Sequence, residues 1–235
     1  MKLAIGTAQF GLDYGVSNQN GQVSSQDVDK ILKMAISAGI TTIDTAADYG
    51  GSEQALGSSG LDSFDVVSKF GAVPEATTDV RGWVCGKIEE SLVRLNVRSM
   101  YGLLLHRPNE LSGIHGDIIY EALTEAKSNG LIKNIGISIS DPTELTQLID
   151  RFDINIVQAP MSIFDRRLHS SGWLDRLQKL GVQVHVRSVF LQGLLLMNSR
   201  VRPDYFGRWS TLFRDYDNWL TMADISALEA CIGFV

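Results

Sequence analysis

The sequence predicts an α/β barrel of the (β/α)8 type. Three observations carry this. Short apolar, β-branched runs alternate with longer amphipathic stretches along nearly the whole chain, the pattern of a parallel sheet covered by helices. Successive runs end in a polar residue, and in such a barrel the carboxyl ends of all strands converge on the face that holds active sites. The glycine fingerprint GxGxxG does not follow the first run, which disfavours a doubly wound dinucleotide fold.

The elements follow in order. Residues 2–6, "KLAIG", form the first strand. Residues 26–38 carry Val28, Ile31, Leu32, Ala35 and Ile36 at helical spacing, with Ser24 or Ser25 as N-cap and Gly39 as stop. "TTID" (41–44) is a strand, 52–58 a short helix and "DVVSK" (65–69) a strand. Residues 79–95 place Val84, Ile88, Leu92 and Leu95 on one helical face. "YGLLLH" (101–106) is a strand, 117–129 a helix closed by "SNG", and "IKNIGIS" (132–138) a strand. Asp141 and Pro142 open the next helix as N-cap and N1. "INIVQ" (154–158), a helix over 165–180 and "VQVHVRS" (182–188) complete seven units, and 199–218 reads as irregular. A single barrel domain over 1–235 is expected, since no linker or low-complexity segment interrupts the rhythm.

Composition narrows the function. Net charge is −6 with no basic cluster, which argues against nucleic acid and anionic membrane surfaces. No run of about 18 apolar residues is present, so no membrane span is expected. The two cysteines, Cys85 and Cys231, show no metal-ligand spacing. No disulfide framework or metal site is expected, and a reduced cytoplasmic setting fits.

Asp44, Lys69, His106, Ser138, Gln158, and Arg187 with Ser188 end six successive strands, the second to the seventh. A lysine that ends an apolar strand needs a partner, and Asp44 ends the neighbouring strand. Tyr49 lies five residues after Asp44, close enough for its loop to fold back toward Lys69. A tyrosine beside an ammonium ionises more readily than one in water. The trio therefore has the parts of a tyrosine general acid, and His106 is placed to donate to or orient a carbonyl oxygen. As a purely structural alternative, Asp44 and Lys69 would form an ion pair at the barrel mouth. His115, His169 and His185 read as core or surface residues, and Trp83 and Cys85 as packing. Phe10, Asp48, Phe164 and the aromatics of 205–219 are candidate substrate-pocket walls.

"DTAADYG", "VVSKFG", "LLLHRP", "LIKNIGIS" and "VRSVFLQGLL", in this order, resemble the motifs of the aldo-keto reductases, from "IGTAQFG" onward. The resemblance implies a (β/α)8 oxidoreductase that reduces aldehydes or ketones with NADPH or, less often, NADH. It implies Tyr49 as proton donor, Lys69 as its activator, Asp44 as the holder of Lys69, and His106 as the residue orienting the carbonyl. Ser138 and Gln158 match positions that bind the nicotinamide carboxamide. Arg187 matches the side chain that packs on the nicotinamide ring. Ser188, Leu191 and Gln192 match the loop near the pyrophosphate. An alternative within the resemblance is a cofactor-binding regulatory or sensor protein, like the potassium-channel β subunits, or a catalytically impaired relative.

Three departures stand out. Ile139 replaces the family's usual Asn after Ser138. Arg187 replaces an aromatic residue, which suggests an anionic or sugar-derived carbonyl substrate. The sequence also stops within what reads as its seventh helix, 225–235, with no eighth strand or helix after it. A barrel so truncated is expected to expose two strand edges and to bind NADPH weakly or not at all, unless 199–218 or a second copy of the chain in a homo-oligomer covers the seam.

Overall fold

The computed structural model describes residues 3–235; Lys2, at the expected start of the first strand, lies outside the described residues. Seven strands pair in one parallel sheet in chain order. They are β1 Ala4–Gly6, β2 Thr42–Asp44, β3 Asp65–Phe70, β4 Met100–Leu105, β5 Ile132–Ser138, β6 Ile156–Pro160 and β7 Gln183–Arg187. The sheet is curled. Parallel neighbours lie about 4.8 Å apart, so β2 and β6 would be well separated in a flat sheet, yet Gln158 Nε2 on β6 donates to Asp44 Oδ1 on β2 at 2.6 Å. Tyr101 of β4 likewise meets Gln183 of β7 at 3.0 Å. This is the architecture of a (β/α)8 barrel over seven of its strands, with β1 and β7 as edges among the described residues.

Alternation along each strand sorts the side chains. Ile43, Val66, Phe70, Leu103, Leu105, Ile135, Ile137 and Val157 face the helices in the main core. Val67, Leu104 and Ile156 fill the inside. Gly136 leaves room there, because a Cβ on it would fall 2.7 Å from the Ile156 carbonyl oxygen. The polar ends of the strands lie beyond this apolar plug.

The covering helices are α1 Ala8–Gly11, α2 Ser25–Ser37, α3 Ser52–Ser59, α4 Val80–Leu95, α5 Gly116–Ser128, α6 Leu145–Leu148, α7 Arg167–Ser170, α8 Trp173–Lys179, α9 Ser210–Ala223 and α10 Ala227–Phe234. Their boundaries have local causes. Ser24 caps α2 by accepting from Asp27 N–H, and Gly39 then turns the chain at φ 72°. Asp79 caps α4 through Gly82 N–H at 2.8 Å. Asp141 and Glu144 form a capping box over the 3₁₀ turn Pro142–Glu144 that leads into α6.

Three expectations are corrected. The helix over 165–180 is two helices, broken where Gly172 adopts φ 77°. The sixth strand starts at Ile156 and runs to Pro160, later than 154–158. Residues 199–218 are not irregular throughout. After 3₁₀ turns at Ser199–Val201 and Asp204–Trp209, α9 begins at Ser210. Pro203 and Gly207 obscure a helical stripe of Phe213, Tyr216 and Leu220 that packs in a second core with Ile163, Leu194, Leu195, Ala230 and Cys231. Arg202 clamps this segment to α9 by donating to both Asp217 oxygens, at 2.7 and 2.6 Å.

Candidate active site

The loop after β2 is an extension of the sheet before it is a loop. Thr45 N–H donates to Val67 O at 2.9 Å and Ala47 N–H to Lys69 O at 2.8 Å, so the ladder with β3 continues beyond Asp44. The chain then turns, with Tyr49 N–H donating to Ala46 O at 3.1 Å. Three buried hydroxyls anchor this turn. Ser52 Oγ donates toward Thr7 O and Oγ1, both at 2.9 Å, and lies 3.1 Å from Thr45 Oγ1. Thr7 Oγ1 donates to Asp44 O at 3.0 Å. Gly11 completes the seat, since a Cβ there would fall 1.8 Å from Tyr49 O. Thr7, Gly11, Thr45 and Ser52 escape a reading of the strand-end residues, although Thr7 follows the first strand as Asp44 ends the second.

Lys69 is fully buried. Its ammonium donates to Asp44 Oδ1 and Oδ2 and to Thr45 O, each at 2.8 Å. It also points at Tyr49 OH at 3.5 Å and lies 4.9 Å from the centre of the Tyr49 ring. The partner sought for Lys69 in the sequence is therefore present, and three strong acceptors offset the cost of its burial. Gln158 adds a second donor to Asp44, and Ser138 Oγ donates to Gln158 Oε1 at 3.3 Å. Asp44, Lys69, Tyr49, Gln158 and Ser138 thus form one connected polar layer across β2, β3, β5 and β6.

His106 follows β4, held by its N–H donating to Phe70 O at 3.0 Å. Its ring meets the Tyr49 ring edge-on, with centroids 5.9 Å apart. Its Nδ1 lies 3.3 Å from Asp48 Oδ2. Burial, then the Lys69 charge, push the imidazole below its ordinary value, and Asp48 partly opposes them. His185 turns toward the barrel interior, paired in register with Gln158. Burial lowers it too, with Asp44 opposing and Lys69 adding to the effect.

Arg187 spans the ends of β5 and β7. Its Nη2 donates to Ile139 O at 2.9 Å and toward Ser140 Oγ at 3.5 Å, and Nη1 donates to Ser188 Oγ at 3.2 Å. Its buried Nε has no protein partner. Ile139 is fully buried in the main core, so this position offers its carbonyl and no side-chain amide. Beyond β7, Ser188, Leu191 and Gln192 adopt φ 61°, 47° and 58°, and Gly193 follows at 86°. Ser17 meets this turn, its N–H and hydroxyl donating to Gln192 O at 3.3 and 3.4 Å.

The candidate wall residues separate. Asp48 stands at the mouth, its side chain 58% exposed. Phe10 is 3% exposed and packs in the main core rather than lining an open wall. Phe164 packs on Phe213 and Tyr216, with ring centroids 5.5 and 5.4 Å away, so it belongs to the second core.

The site fits a nicotinamide cofactor on its own chemistry. The buried hydroxyl of Ser138 and amide of Gln158 retain hydrogen-bonding capacity beyond the bonds above, and Arg187 Nε is an unused buried donor. Among the described residues, no cluster of three or more His, Cys, Asp or Glu could hold a metal ion, and no helix is long and apolar enough to cross a membrane.

Known proteins of similar sequence and fold place the chain in a family. The chain is 30% identical over 186 residues to an aldo-keto reductase of Mycobacterium sp. strain KMS, covering 77% of this chain and 65% of that protein. It is 26% identical over 200 residues to the oxidoreductase YdhF of Escherichia coli K12, covering 77% and 66%. It thus spans about two thirds of the length of these relatives. The glycerol dehydrogenase AKR11B4 of Gluconobacter oxydans superposes with a TM-score of 0.74 at 21% identity, over 97% of this chain and 77% of that one. Residues 2–231 match the profile of the aldo/keto reductase family, and the chain belongs to that family.

Proposed function

We propose that this chain carries the catalytic centre of a carbonyl reductase that uses NADPH, with NADH as the alternative donor, and that Tyr49 is its general acid. The observation that carries the reading is the line Asp44–Lys69–Tyr49, with Lys69 fully buried at its centre. The Lys69 ammonium donates toward the Tyr49 oxygen, which leaves the phenolic hydrogen free to face a substrate. A reduced nicotinamide, when bound, supplies the hydride to the carbonyl carbon. Tyr49 gives its proton to the carbonyl oxygen, and the O–H bond of the new alcohol forms as the phenolic O–H bond breaks. The negative charge left on the phenolate faces Lys69, in a layer closed to water on its inner side. Asp44 and Thr45 O hold that ammonium in place. Ser138 and Gln158 are the groups suited to the cofactor's carboxamide. Arg187, with the turn of Ser188, Leu191 and Gln192, borders the rest of the cofactor and favours an anionic substrate, sugar-derived acids included.

Tyr49→Phe tests the assignment, because it deletes one hydroxyl and leaves Lys69 its three acceptors. Carbonyl-dependent NADPH oxidation should fall by about 10²–10⁴-fold, with cofactor affinity, read by fluorescence titration, nearly unchanged. A variant that keeps more than about a tenth of kcat moves the acid role to His106.

A further inference from the structure

The hydroxyls beneath the Tyr49 loop are unused by that mechanism. Thr7, Thr45 and Ser52 are each fully buried. Ser52 Oγ is their junction, 2.9 Å from both Thr7 O and Thr7 Oγ1 and 3.1 Å from Thr45 Oγ1. The Ser52 N–H donates to Tyr49 O at 3.1 Å. We propose that Ser52 is a positioning residue that holds the acid Tyr49 and its activator Lys69 in one frame, with Thr7, just after β1, as its anchor.

Connectivity singles out Ser52. Tyr49 OH lies 3.5 Å from Lys69 Nζ, at the outer limit of a hydrogen bond, so a small retreat of the phenol ends the contact. The Lys69 ammonium is held by the Asp44 carboxylate and by Thr45 O. The same two residues carry the ends of the hydroxyl set. Thr7 Oγ1 donates to Asp44 O at 3.0 Å, and Thr45 Oγ1 meets Ser52 Oγ. Between Thr45 and Ser52 the chain runs out to Tyr49 and back, with Tyr49 N–H donating to Ala46 O at 3.1 Å. Ser52 therefore ties the far end of the loop that presents the phenol to the residues that fix the ammonium. Such placement bears on rate, because a displacement of about 1 Å from the reactive geometry can cost about 10²-fold. Buried hydroxyls need partners whatever the function, so transmission to Tyr49 is what separates positioning from packing. The role rests on Tyr49 being the general acid.

Ser52→Ala should lower kcat for carbonyl-dependent NADPH oxidation by about 10–10²-fold, with KM and cofactor affinity nearly unchanged. In a Tyr49→Phe background the same substitution should cost nothing further, because the group it places is gone. Thr7→Val deletes a hydroxyl that bonds to neither Tyr49 nor Lys69. It should lower kcat in the same direction, and Thr7→Ser should recover most of that loss. Placement is also read without turnover. The Tyr49 and His106 rings meet edge-on with centroids 5.9 Å apart, and in the full chain the nuclear Overhauser cross-peak between their ring protons should weaken in Ser52→Ala. Wild-type kcat in Ser52→Ala with only a lowered Tm would make the residue structural and overturn the proposal. An equal fall in kcat with and without the Tyr49 hydroxyl, or an unchanged cross-peak, would do the same. If Ser52→Ala does not fold, Thr7→Val and Thr7→Ser decide by the same kcat and cross-peak. If Tyr49→Phe keeps its activity, or the wild-type chain reduces no carbonyl, the general-acid reading fails, and the cross-peak still decides whether Ser52 places Tyr49.

Discussion

Lys69→Met is the perturbation that most directly tests the polar layer. Methionine keeps the length of the side chain and removes the charge. The structure sets the magnitude. Lys69 is fully buried, and its loss strips Asp44 of a donor on both oxygens and leaves Thr45 O without its partner. Removing one member of a buried pair costs about 3–5 kcal/mol. The Asp44 side chain is 19% exposed and keeps the Gln158 donor at 2.6 Å, which places the loss near the low end, about 3 kcal/mol. With a urea m-value of about 3 kcal/mol/M, the upper part of the usual range, the unfolding midpoint should fall by about 1 M. Asp44→Leu alone should cost a comparable amount, since it leaves the ammonium uncompensated. The double variant should recover to within about 1 kcal/mol of wild type, because neither charge is then buried unpaired. Equilibrium urea unfolding followed by tryptophan fluorescence measures all four corners of the cycle. Losses that simply add, with a coupling under about 0.5 kcal/mol, would refute the claim that these residues act as a buried pair.

Other predictions address the surroundings of the layer. Arg187→Met should lower kcat/KM for a carboxylated benzaldehyde about tenfold or more relative to the uncharged parent, the size of a charge-assisted hydrogen bond; an unchanged ratio in paired assays sinks the anion preference. His106 and His185 are both held below the ordinary histidine value of 6.5. Below that value the unfolded chain binds more protons than the folded one. Their contribution is therefore fully present above about pH 6.5 and is lost as pH falls through the lowered folded values. His185→Gln should flatten the stability decline between about pH 7 and pH 5, and urea midpoints that keep the wild-type slope would contradict this. Gln192→Gly should raise stability by about 1 kcal/mol by relieving a left-handed residue at φ 58°. Thermal unfolding should show Tm higher by about 2–4 °C, and a fall would mean that the Gln192 side chain holds the turn.

Several elements of the site are legible in the sequence because they obey local rules. A polar residue that ends an apolar strand is a period-two signal, and it marks Asp44, Lys69, Ser138, Gln158 and Arg187 before any contact is known. The separation of Asp44 from Tyr49 shows that a loop could return to Lys69, and the structure closes that distance to 3.5 Å. Capping chemistry likewise marks Ser24 and Asp141. Less legible was anything that depends on an approach from elsewhere. Gly11 looks like any loop glycine until the Tyr49 carbonyl is found against it. Phe10 reads as a candidate pocket wall and lies instead in the main core. Helix α9 is hidden behind Pro203 and Gly207 because its register is set by a second core drawn from Ile163, Leu194 and Cys231.

The alternation of apolar and amphipathic segments, by itself, determines a parallel sheet with helices outside and delivers the polar strand ends to one face. Which of those ends touch is a property of curvature. Only when the sheet curls does Gln158 of β6 reach Asp44 of β2, and no spacing along the chain encodes that contact. The Asp48–His106 bond is of the same kind. It joins residues 58 positions apart, and such a contact exists only once the fold has brought the two groups together.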